Sequence, residues 1–462
     1  MSMRVLLITV AGSVAGSSIV SAQIAAQVIA KIGDAASGST ISALNAPFPA
    51  TNGRVGFVAS LADTNRIIWF DNGPIFNSSS ALPNIVSGGE STMGVSETGA
   101  FIYSPTYNSN DSVYTSAGEL LSEDTPLANP AGTFSSFNSR PTMAADGTPY
   151  WVGGWANTVG GASVGRLMLT ANPSLNPATI NVLLKSGDLV AGFPINASGI
   201  GFDYDASDSG VHRIHFLTLT TGSTANDLLV WVDGNVVAQE GSSAGGVELW
   251  ATFGVGSIND NGDYLFSGNT NGVAATDETL VINGNITDRE GDVVDGVTLG
   301  STMNAGALNN CLDVVTTWAS SQTETLFYGD GSGLSNKIAS VGDSIDINGD
   351  TVADFTITDF EGSRVIGPGY SLGGDGRAFV EATLTPSGGG AAIEAIVAFR
   401  LPICVGDTNG DEVINLTDLS SLLSNFGVSA PNLTRADGDL DCDGDVDLTD
   451  LSRLLAVFGS PC

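Results

Sequence analysis

Most of the chain repeats a pattern of turn-forming and apolar positions. Its first part is a turn residue, usually Gly, with an apolar or aromatic residue four positions later. The occurrences are Gly53–Phe57, Gly99–Tyr103, Gly147–Trp151, Gly210–Ile214 (a looser match), Gly262–Phe266, Asn310–Val314 and Gly376–Val380. Asn stands for Gly once, and both residues tolerate a positive φ. The pattern predicts short strands that begin after tight turns.

Two further parts recur between these marks. A second strand ends in a turn at Arg66–Gly73, Leu228–Gly234, Thr279–Gly284 and Thr325–Gly331. A closing strand follows at Leu183–Asp188, Val237–Gly241, Thr287–Asp292 and Ile338–Asp343. The marks are 46 to 66 residues apart, which is the length of a β-propeller blade. One such sheet cannot bury both faces alone and must stack on its neighbours.

The two ends of the repeated region complement each other. Val28–Asp34 copies the closing strand but precedes the first mark, whereas the last mark is followed by Ala392–Phe399 and no closing strand. The sequence therefore predicts a mainly β fold, a seven-bladed propeller-like domain with one blade split between the chain ends. An irregular pair of β-sandwiches is the alternative. The repeats resemble the tandem N-x-x-G-x-x-A-F repeats of secreted bacterial proteins over roughly residues 25 to 400, and this resemblance implies a scaffold without a specific activity.

The end of the chain contains a twelve-residue acidic loop twice. Loop one, Asp407–Asp418, precedes Leu419–Gly427, and loop two, Asp439–Asp450, repeats the layout 32 residues later before Leu451–Gly459. Oxygen ligands at loop positions 1, 3, 5, 9 and 12, with a backbone carbonyl at position 7, suit Ca²⁺. The predicted ligands are Asp407, Asn409, Asp411, Asn415, Asp418 and the Val413 carbonyl in loop one, and Asp439, Asp441, Asp443, Asp447, Asp450 and the Asp445 carbonyl in loop two.

An apolar stripe follows each loop with the spacing of an α-helix. The stripes are Leu419, Leu422, Leu423 and Phe426, then Leu451, Leu454, Leu455 and Phe458. They are predicted to pack on each other as a small all-α unit. Because the core is small and the ligands repel one another without metal, ion binding should supply much of the folding free energy.

This duplicated loop-helix layout resembles a type I dockerin over residues 404–462. The resemblance implies two Ca²⁺ ions, docking to a cohesin-type domain, and two binding orientations related by a pseudo-twofold axis. Partner contacts would then involve Leu416, Thr417, Leu448, Thr449 and Arg453. The sequence departs from the family at Glu412, which occupies position 6 where Gly takes the sharp turn. Arg453 is also the one basic residue on the two predicted helices.

A third acidic loop lies within the repeat region. Asp346, Asn348, Asp350 and Asp354 have a spacing found in Ca²⁺ loops, but Thr351 stands where Gly is usual. A third Ca²⁺ site and a solvated hairpin tip are both open interpretations.

The net charge and the start of the chain bear on the partners and on the compartment. The net charge is −34, from 15 basic and 49 acidic side chains, which argues against nucleic acid and anionic lipid as partners. Residues 1–22 are typical of a signal peptide, followed by the repeat domain (23–402) and the C-terminal module (403–462). We therefore expect a secreted or extracellular protein, with a cell-surface location as one option and no membrane insertion.

Cys404 and Cys462 bracket the module and are candidates for a disulfide, whereas the sequence assigns no partner to Cys311 or Cys442.

No catalytic constellation is visible. His212 and His215, three residues apart in a predicted strand, face opposite sides, and the G-x-S-x-G match at Gly241–Gly245 has neither a helix nor a histidine beside it. The sequence thus favours a secreted non-catalytic scaffold that binds glycan or protein and docks to a cohesin-like domain or cell-surface protein. Alternatives are a dockerin-bearing glycoside hydrolase or polysaccharide lyase on a propeller, and a structural envelope protein.

Overall fold

The computed structural model describes most of the chain. The described residues are 24–49, 54–78, 93–96, 98–104, 106–107, 110–137, 141–172, 174, 179–320, 323–360, 370–373, 376–430 and 433–460. The predicted signal peptide (1–22) and Cys462 lie outside them. Within the described ranges, no helix has the length and apolar character needed to cross a bilayer.

The described chain is mainly β, and its strands succeed one another in sheets that are nearly contiguous in sequence. The strands up to residue 190 are β1 Ile24–Lys31, β2 Ala35–Ala36, β3 Ser39–Leu44, β4 Phe48–Pro49, β5 Val55–Leu61, β6 Arg66–Phe70, β7 Gly73–Asn77, β8 Met93–Val95, β9 Phe101–Tyr103, β10 Thr106–Tyr107, β11 Asn110–Thr115, β12 Gly118–Ser122, β13 Pro126–Leu127, β14 Gly132–Phe137, β15 Thr142–Met143, β16 Pro149–Ala156, β17 Gly165–Asn172, β18 Thr179–Lys185 and β19 Leu189–Val190. The later strands are β20 Phe193–Ala206, β21 Arg213–Leu219, β22 Leu228–Val232, β23 Asn235–Gln239, β24 Ser243–Gly245, β25 Glu248–Ile258, β26 Tyr264–Thr270, β27 Glu278–Ile282, β28 Asn285–Arg289, β29 Val293–Val294, β30 Val297–Thr298, β31 Thr302–Leu308, β32 Val314–Ala319, β33 Glu324–Asp330, β34 Gly333–Ser340, β35 Ser344–Asp346, β36 Phe355–Phe360, β37 Tyr370–Gly373, β38 Arg377–Pro386 and β39 Ile393–Arg400.

These strands form a propeller-like arrangement of six blades with five or six strands each. The blades comprise β2–β7, β8–β12, β13–β18, β19–β23, β24–β28, and β35–β39 together with β1. A smaller four-stranded sheet, β31–β34, lies between the fifth and the last of these, and the hairpin β29–β30 before it pairs only with itself. Seven blades are predicted, whereas the structure has six, with the four-stranded sheet β31–β34 as a smaller element beside them.

The predicted closure of the ring is confirmed. Strand β1 pairs antiparallel with β39, bringing Ala26 opposite Phe399 and Val28 opposite Val397, and it also pairs with β35 in parallel. Residues from the two ends of the repeat region thus complete one blade.

The blades are held together by apolar side chains between neighbouring sheets. One core cluster joins Leu265 and Leu280 of β26 and β27 to Val314 and Trp318 of β32, all at most 1% exposed. Burying a side chain of this size contributes roughly 1.5 to 3 kcal/mol. Each sheet therefore depends on the next for burial of its faces, as the repeat pattern predicts.

The turn that begins a repeat has a positive φ, which explains its Gly. Gly262 lies between β25 and β26 with φ +80°. The interpretation of Asn310 as the equivalent residue is wrong, because Leu312 has the positive φ (60°) there. The reason is Asn309, whose side-chain oxygen accepts from the backbone N–H of Cys311 and of Asp313 and holds the turn around Leu312.

The C-terminal module contains helices α1 (Leu416–Asn425) and α2 (Leu448–Val457), joined through a 3₁₀ turn at Arg435–Asp437. Each loop is linked to the chain after the other helix, since Gly427 N donates to Val446 O and Gly459 N donates to Ile414 O. These reciprocal bonds give the two halves a pseudo-twofold relation.

Only part of the predicted apolar stripes packs inside the module. Leu422 and Leu454 are fully buried, and Leu419 and Leu451 are partly buried against the same core. The remaining four positions are exposed, namely Leu423 (52%), Phe426 (43%), Leu455 (55%) and Phe458 (40%). Two helices of ten residues cannot cover stripes this wide, so half of each stripe faces outward.

Candidate metal centres and the interface between the modules

Loop one gathers carboxylates from its beginning, middle and end. One oxygen each of Asp407, Asp411 and Asp418 lie within 4.8 Å of one another. Asp407 accepts from the N–H groups of Gly410 (2.8 Å) and Glu412 (2.7 Å), which curls the chain around it. Three of the five predicted side-chain ligands of this loop therefore converge.

The end of loop one is fixed by the start of helix α1. Asn415 is the N-cap and accepts from Thr417 N, and Asp418 closes the capping box by accepting from Asn415 N at 2.8 Å. The other Asp418 oxygen accepts from Thr408 N at 2.9 Å. Burial alone would raise the pKa of Asp418, but these backbone N–H groups lower it overall, so this carboxylate stays charged.

Loop two repeats this geometry in a more buried setting. Asp439, Asp441 and Asp450 each place one oxygen within 4.8 Å of the others, and Asp445, Asp447 and Asp450 form a second such group. Asp439 is 1% exposed and Asp441 4% exposed. The predicted ligand Asp443 lies on the exposed side of the loop, and Asp445, expected to contribute only a carbonyl, also brings its carboxylate.

The electrostatics of loop two favour a bound cation. Burial, together with the charges of Asp443 and Asp450, raises the pKa of Asp441 to about 8. Burial also raises the pKa of Asp439 to about 6. One oxygen of Asp441, Oδ1, is buried without a hydrogen-bond partner. An unpartnered buried carboxylate oxygen among other carboxylates is costly unless a cation pairs with it, so the donor set fits a hard divalent ion.

Both loops use left-handed backbone at positions 4 and 6. Gly410 (φ +75°) and Glu412 (φ +63°) have these roles in loop one, and Cys442 (φ +61°) and Gly444 (φ +90°) in loop two. Glu412 therefore takes the left-handed backbone that favours Gly at position 6, which is a strained conformation for a residue with a side chain.

The third acidic loop has a backbone conformation like that of loop one, but its carboxylates do not converge in the same way. Asp346 accepts from Gly349 N (2.7 Å) and Thr351 N (2.8 Å), and Thr351 has φ +66°. Asp354 accepts from the Asn348 side-chain amide at 3.2 Å. Among the described residues, however, the carboxylates of Asp346, Asp350 and Asp354 do not converge as the two module sites do.

The predicted partner-binding positions fall into two groups. Leu416 (72%) and Leu448 (69%) are highly exposed, and Thr417 and Thr449 beside them are exposed as well. Arg453 instead turns toward loop two, where its Nε lies 3.5 Å from Asp441 Oδ2. Its side chain is only 18% exposed, so its charge is directed at the predicted ligand Asp441 and is largely hidden from a partner protein.

The contacts that join the module to the propeller were not predicted. Cys311, in the turn between β31 and β32, forms a disulfide with Cys442 in loop two. Two residues further along, Asp313 receives two hydrogen bonds from Arg435, at 2.8 and 2.6 Å. Cys404 is disulfide-bonded, and its predicted partner Cys462 lies outside the described residues. The unassigned cysteine at an acidic loop was the one sequence signal of this interface.

The two histidines do not meet at a site. His212 Nδ1 lies 2.6 Å from Asp233 Oδ2 near the surface. His215 is 1% exposed and lies between the rings of Tyr204 and Trp231, and burial lowers its pKa to about 3. Of the two, only His215 lies within strand β21, whereas His212 precedes it.

Comparisons with known proteins give only distant structural matches. No family model matches the chain, and no curated protein matches it. Among solved structures, prolyl oligopeptidase B from Galerina marginata is 12% identical over 78% of this chain, with a TM-score of 0.41, and the match spans about half (51%) of that protein. The structure of U3-55K is 12% identical over 80% of this chain and 98% of that one, with a TM-score of 0.39.

A third similar structure is the α-L-arabinofuranosidase arb93a from Fusarium graminearum. It is 10% identical over 68% of this chain and 94% of its own, with a TM-score of 0.32. At these levels of similarity the matches carry no inference about activity.

Proposed function

We propose that this chain is a secreted, non-catalytic binding protein, in which a seven-bladed propeller presents a dockerin-like module that binds two Ca²⁺ ions and docks to a cohesin-type partner. In this proposal the four-stranded sheet β31–β34 is the seventh blade. The observation that carries the proposal is the convergence of three carboxylates in each module loop, with Asp441 Oδ1 buried and unpartnered in loop two.

The donor set supports Ca²⁺ as the ion. Both loops offer oxygen atoms, and the described residues of loop one and loop two contain neither a histidine nor a free thiol. Carboxylate and carbonyl oxygens select hard cations over zinc or copper. The Cys311–Cys442 disulfide supports an oxidising compartment, since such bonds persist mainly outside the cytosol.

The exposed face of the two helices supports a docking role. Leu416 and Leu448, Leu423 and Leu455, and Phe426 and Phe458 are exposed pairs whose members are 32 residues apart. The pseudo-twofold relation of the halves makes this apolar surface similar from two directions. Large exposed apolar side chains at matching positions of the two halves are what a site for a protein partner needs.

Calorimetric titration of the full chain tests ion binding. We expect about two Ca²⁺ per chain, and loss of one each in Asp418→Ala and Asp450→Ala. Uptake of a third ion that Asp346→Ala removes would assign the third acidic loop. If no Ca²⁺ is taken up, the proposed function is wrong.

Binding to an immobilised cohesin domain tests docking. We expect Ca²⁺-dependent binding that the double variant Leu416→Asp/Leu448→Asp abolishes, because either half can serve. Leu189→Asp is the matched control, since Leu189 is 71% exposed on the propeller and should leave binding unchanged. Equal binding by both variants would exclude this surface.

A further inference from the structure

The two loops are equivalent in sequence layout but not in surroundings. Position 4 of loop one is Gly410, which is exposed, whereas position 4 of loop two is Cys442, which is 1% exposed and bonded to Cys311 of the propeller. The disulfide spans 131 residues of sequence with a Cα–Cα distance of 5.3 Å. The disulfide therefore holds loop two against the ring, and its cysteine in the loop lies between the predicted ligands Asp441 and Asp443.

A buried ion pair reinforces this attachment. Asp313 is 3% exposed and is oriented by Tyr328 Oη (3.1 Å) and the Asn309 side-chain amide (2.8 Å) within the propeller. Arg435, from the segment that leads into loop two, binds both of its oxygens. A bidentate arginine-carboxylate pair fixes orientation as well as distance.

The connection at the start of the module is also close. A Cβ on Gly376, in the turn before β38, would lie 3.0 Å from Ile403 and 3.2 Å from Val405. Leu401 N donates to Gly376 O at 2.9 Å. The module is thus packed on the ring from its first residues and is not suspended on a flexible tether.

The ring residues lie beside the predicted ligands of loop two. A cavity of about 250 Å³ between the modules is lined by Asp260, Asn261 and Asn310 on one side and by Asp439, Asp443 and Gly444 on the other. Asp439 and Asp441, at positions 1 and 3 of loop two, are buried in this arrangement, while Asp407 and Asn409 at the same positions of loop one are half-buried and exposed. Positions 1 and 3 of loop two thus carry buried carboxylates beside the ring, whereas the same positions of loop one do not, and uncompensated charge is unfavourable in such a setting.

We propose that Ca²⁺ at loop two locks the module onto its own propeller, and that loop one is the site free of this coupling. The proposal rests on the proposed function in requiring that both loops bind Ca²⁺. Because undocking exposes loop two and dismantles its fixed geometry, the docked state binds Ca²⁺ more tightly, and Ca²⁺ favours docking by the same factor. Propeller and module then act as one body in a calcium-rich environment.

The rate at which dithiothreitol reduces Cys311–Cys442 in the full chain measures opening of this interface. Reduction needs access of a thiolate to a sulfur atom, and Cys442 is buried in the docked state. If opening of the interface abolishes Ca²⁺ binding at loop two, Ca²⁺ at 100 times its Kd lowers the population of the open state by about a hundredfold. The rate of disulfide reduction then falls by the same factor. We expect this slowing in the wild type and in the loop-one control Asp407→Asn, but not in the loop-two variant Asp441→Asn.

A second measurement needs no variant. Hydrogen exchange of wild-type amides at Cys311 and Asp313 should slow on addition of Ca²⁺, because the propeller turn is then protected by the module. Two bound ions with unchanged reduction and exchange rates would overturn the lock and leave the proposed function standing. Slowing that Asp407→Asn abolishes and Asp441→Asn retains would also overturn it, whereas absence of Ca²⁺ uptake would refute the proposed function itself.

Discussion

Replacing Arg435 by Met should open the interface between the two modules. The guanidinium bonds both oxygens of Asp313 at 2.8 and 2.6 Å, and the two side chains are 17% and 4% exposed. Removing one partner of a buried pair typically costs 3 to 5 kcal/mol, because the other charge remains buried. Tyr328 and Asn309 still bond Asp313, so we expect the lower end, about 3 kcal/mol.

Native-state hydrogen exchange measures this cost locally. At 1.4 kcal/mol per tenfold, the amides of Cys311 and Asp313 should exchange about a hundredfold faster in Arg435→Met. The double variant Arg435→Met/Asp313→Asn should recover part of the loss, since it removes the unpaired charge.

An exposed arginine supplies the matched control. Arg54 Nε lies 3.9 Å from Asp71 Oδ2, and these side chains are 49% and 40% exposed. Arg54→Met should therefore cost about 0.5 kcal/mol or less. If Arg435→Met changes exchange at Cys311 and Asp313 no more than Arg54→Met does, the Arg435–Asp313 pair does not hold the interface closed.

Three further predictions concern single residues. Glu278 is 6% exposed, and burial raises its pKa to about 7, so the folded state loses up to about 3 kcal/mol of stability as pH rises from 4.5 through 7; Glu278→Gln should remove this slope from urea midpoints, and an unchanged slope would contradict the assignment. His215, with its pKa lowered by burial to about 3, should cost stability as pH falls below 6.5, so the melting temperature of His215→Phe should fall less between pH 7 and 4.5 than that of the wild type, and equal falls would exclude this group. Glu412→Gly should stabilise the module by about 1 kcal/mol and tighten loop one toward Ca²⁺ in calorimetry, because it relieves a φ of +63°; weaker binding would show that Glu412 has another role.

The repeat pattern predicted the ring because its signals are local. A turn glycine and the strand after it are neighbours in sequence, so Gly262 and β26 are visible without the fold. The closure by β1 was predictable for a similar reason, as Val28–Asp34 copies a strand that the last unit lacks. The reduced size of the sheet β31–β34 was not, since it depends on the hairpin β29–β30 pairing with itself alone.

The acidic loops could also be predicted from the sequence, because their ligands lie at fixed spacings within twelve residues. The interface between the module and the propeller could not be predicted, since nothing in the sequence says which propeller turn lies beside loop two. Cys311 and Asp313 reach the module from the turn around Leu312, whose positive φ is not evident from the sequence. The outward position of Leu423 and Phe426 likewise depends on how little of each helix its partner covers.

Two Ca²⁺ ions in the C-terminal module are the central claim, and calorimetric titration of the full chain tests it most directly. We expect two bound ions, one lost with Asp418→Ala and the other with Asp450→Ala, and a loss of helical circular dichroism when a chelator removes them. A flat titration, with a spectrum that the chelator leaves unchanged, would contradict it.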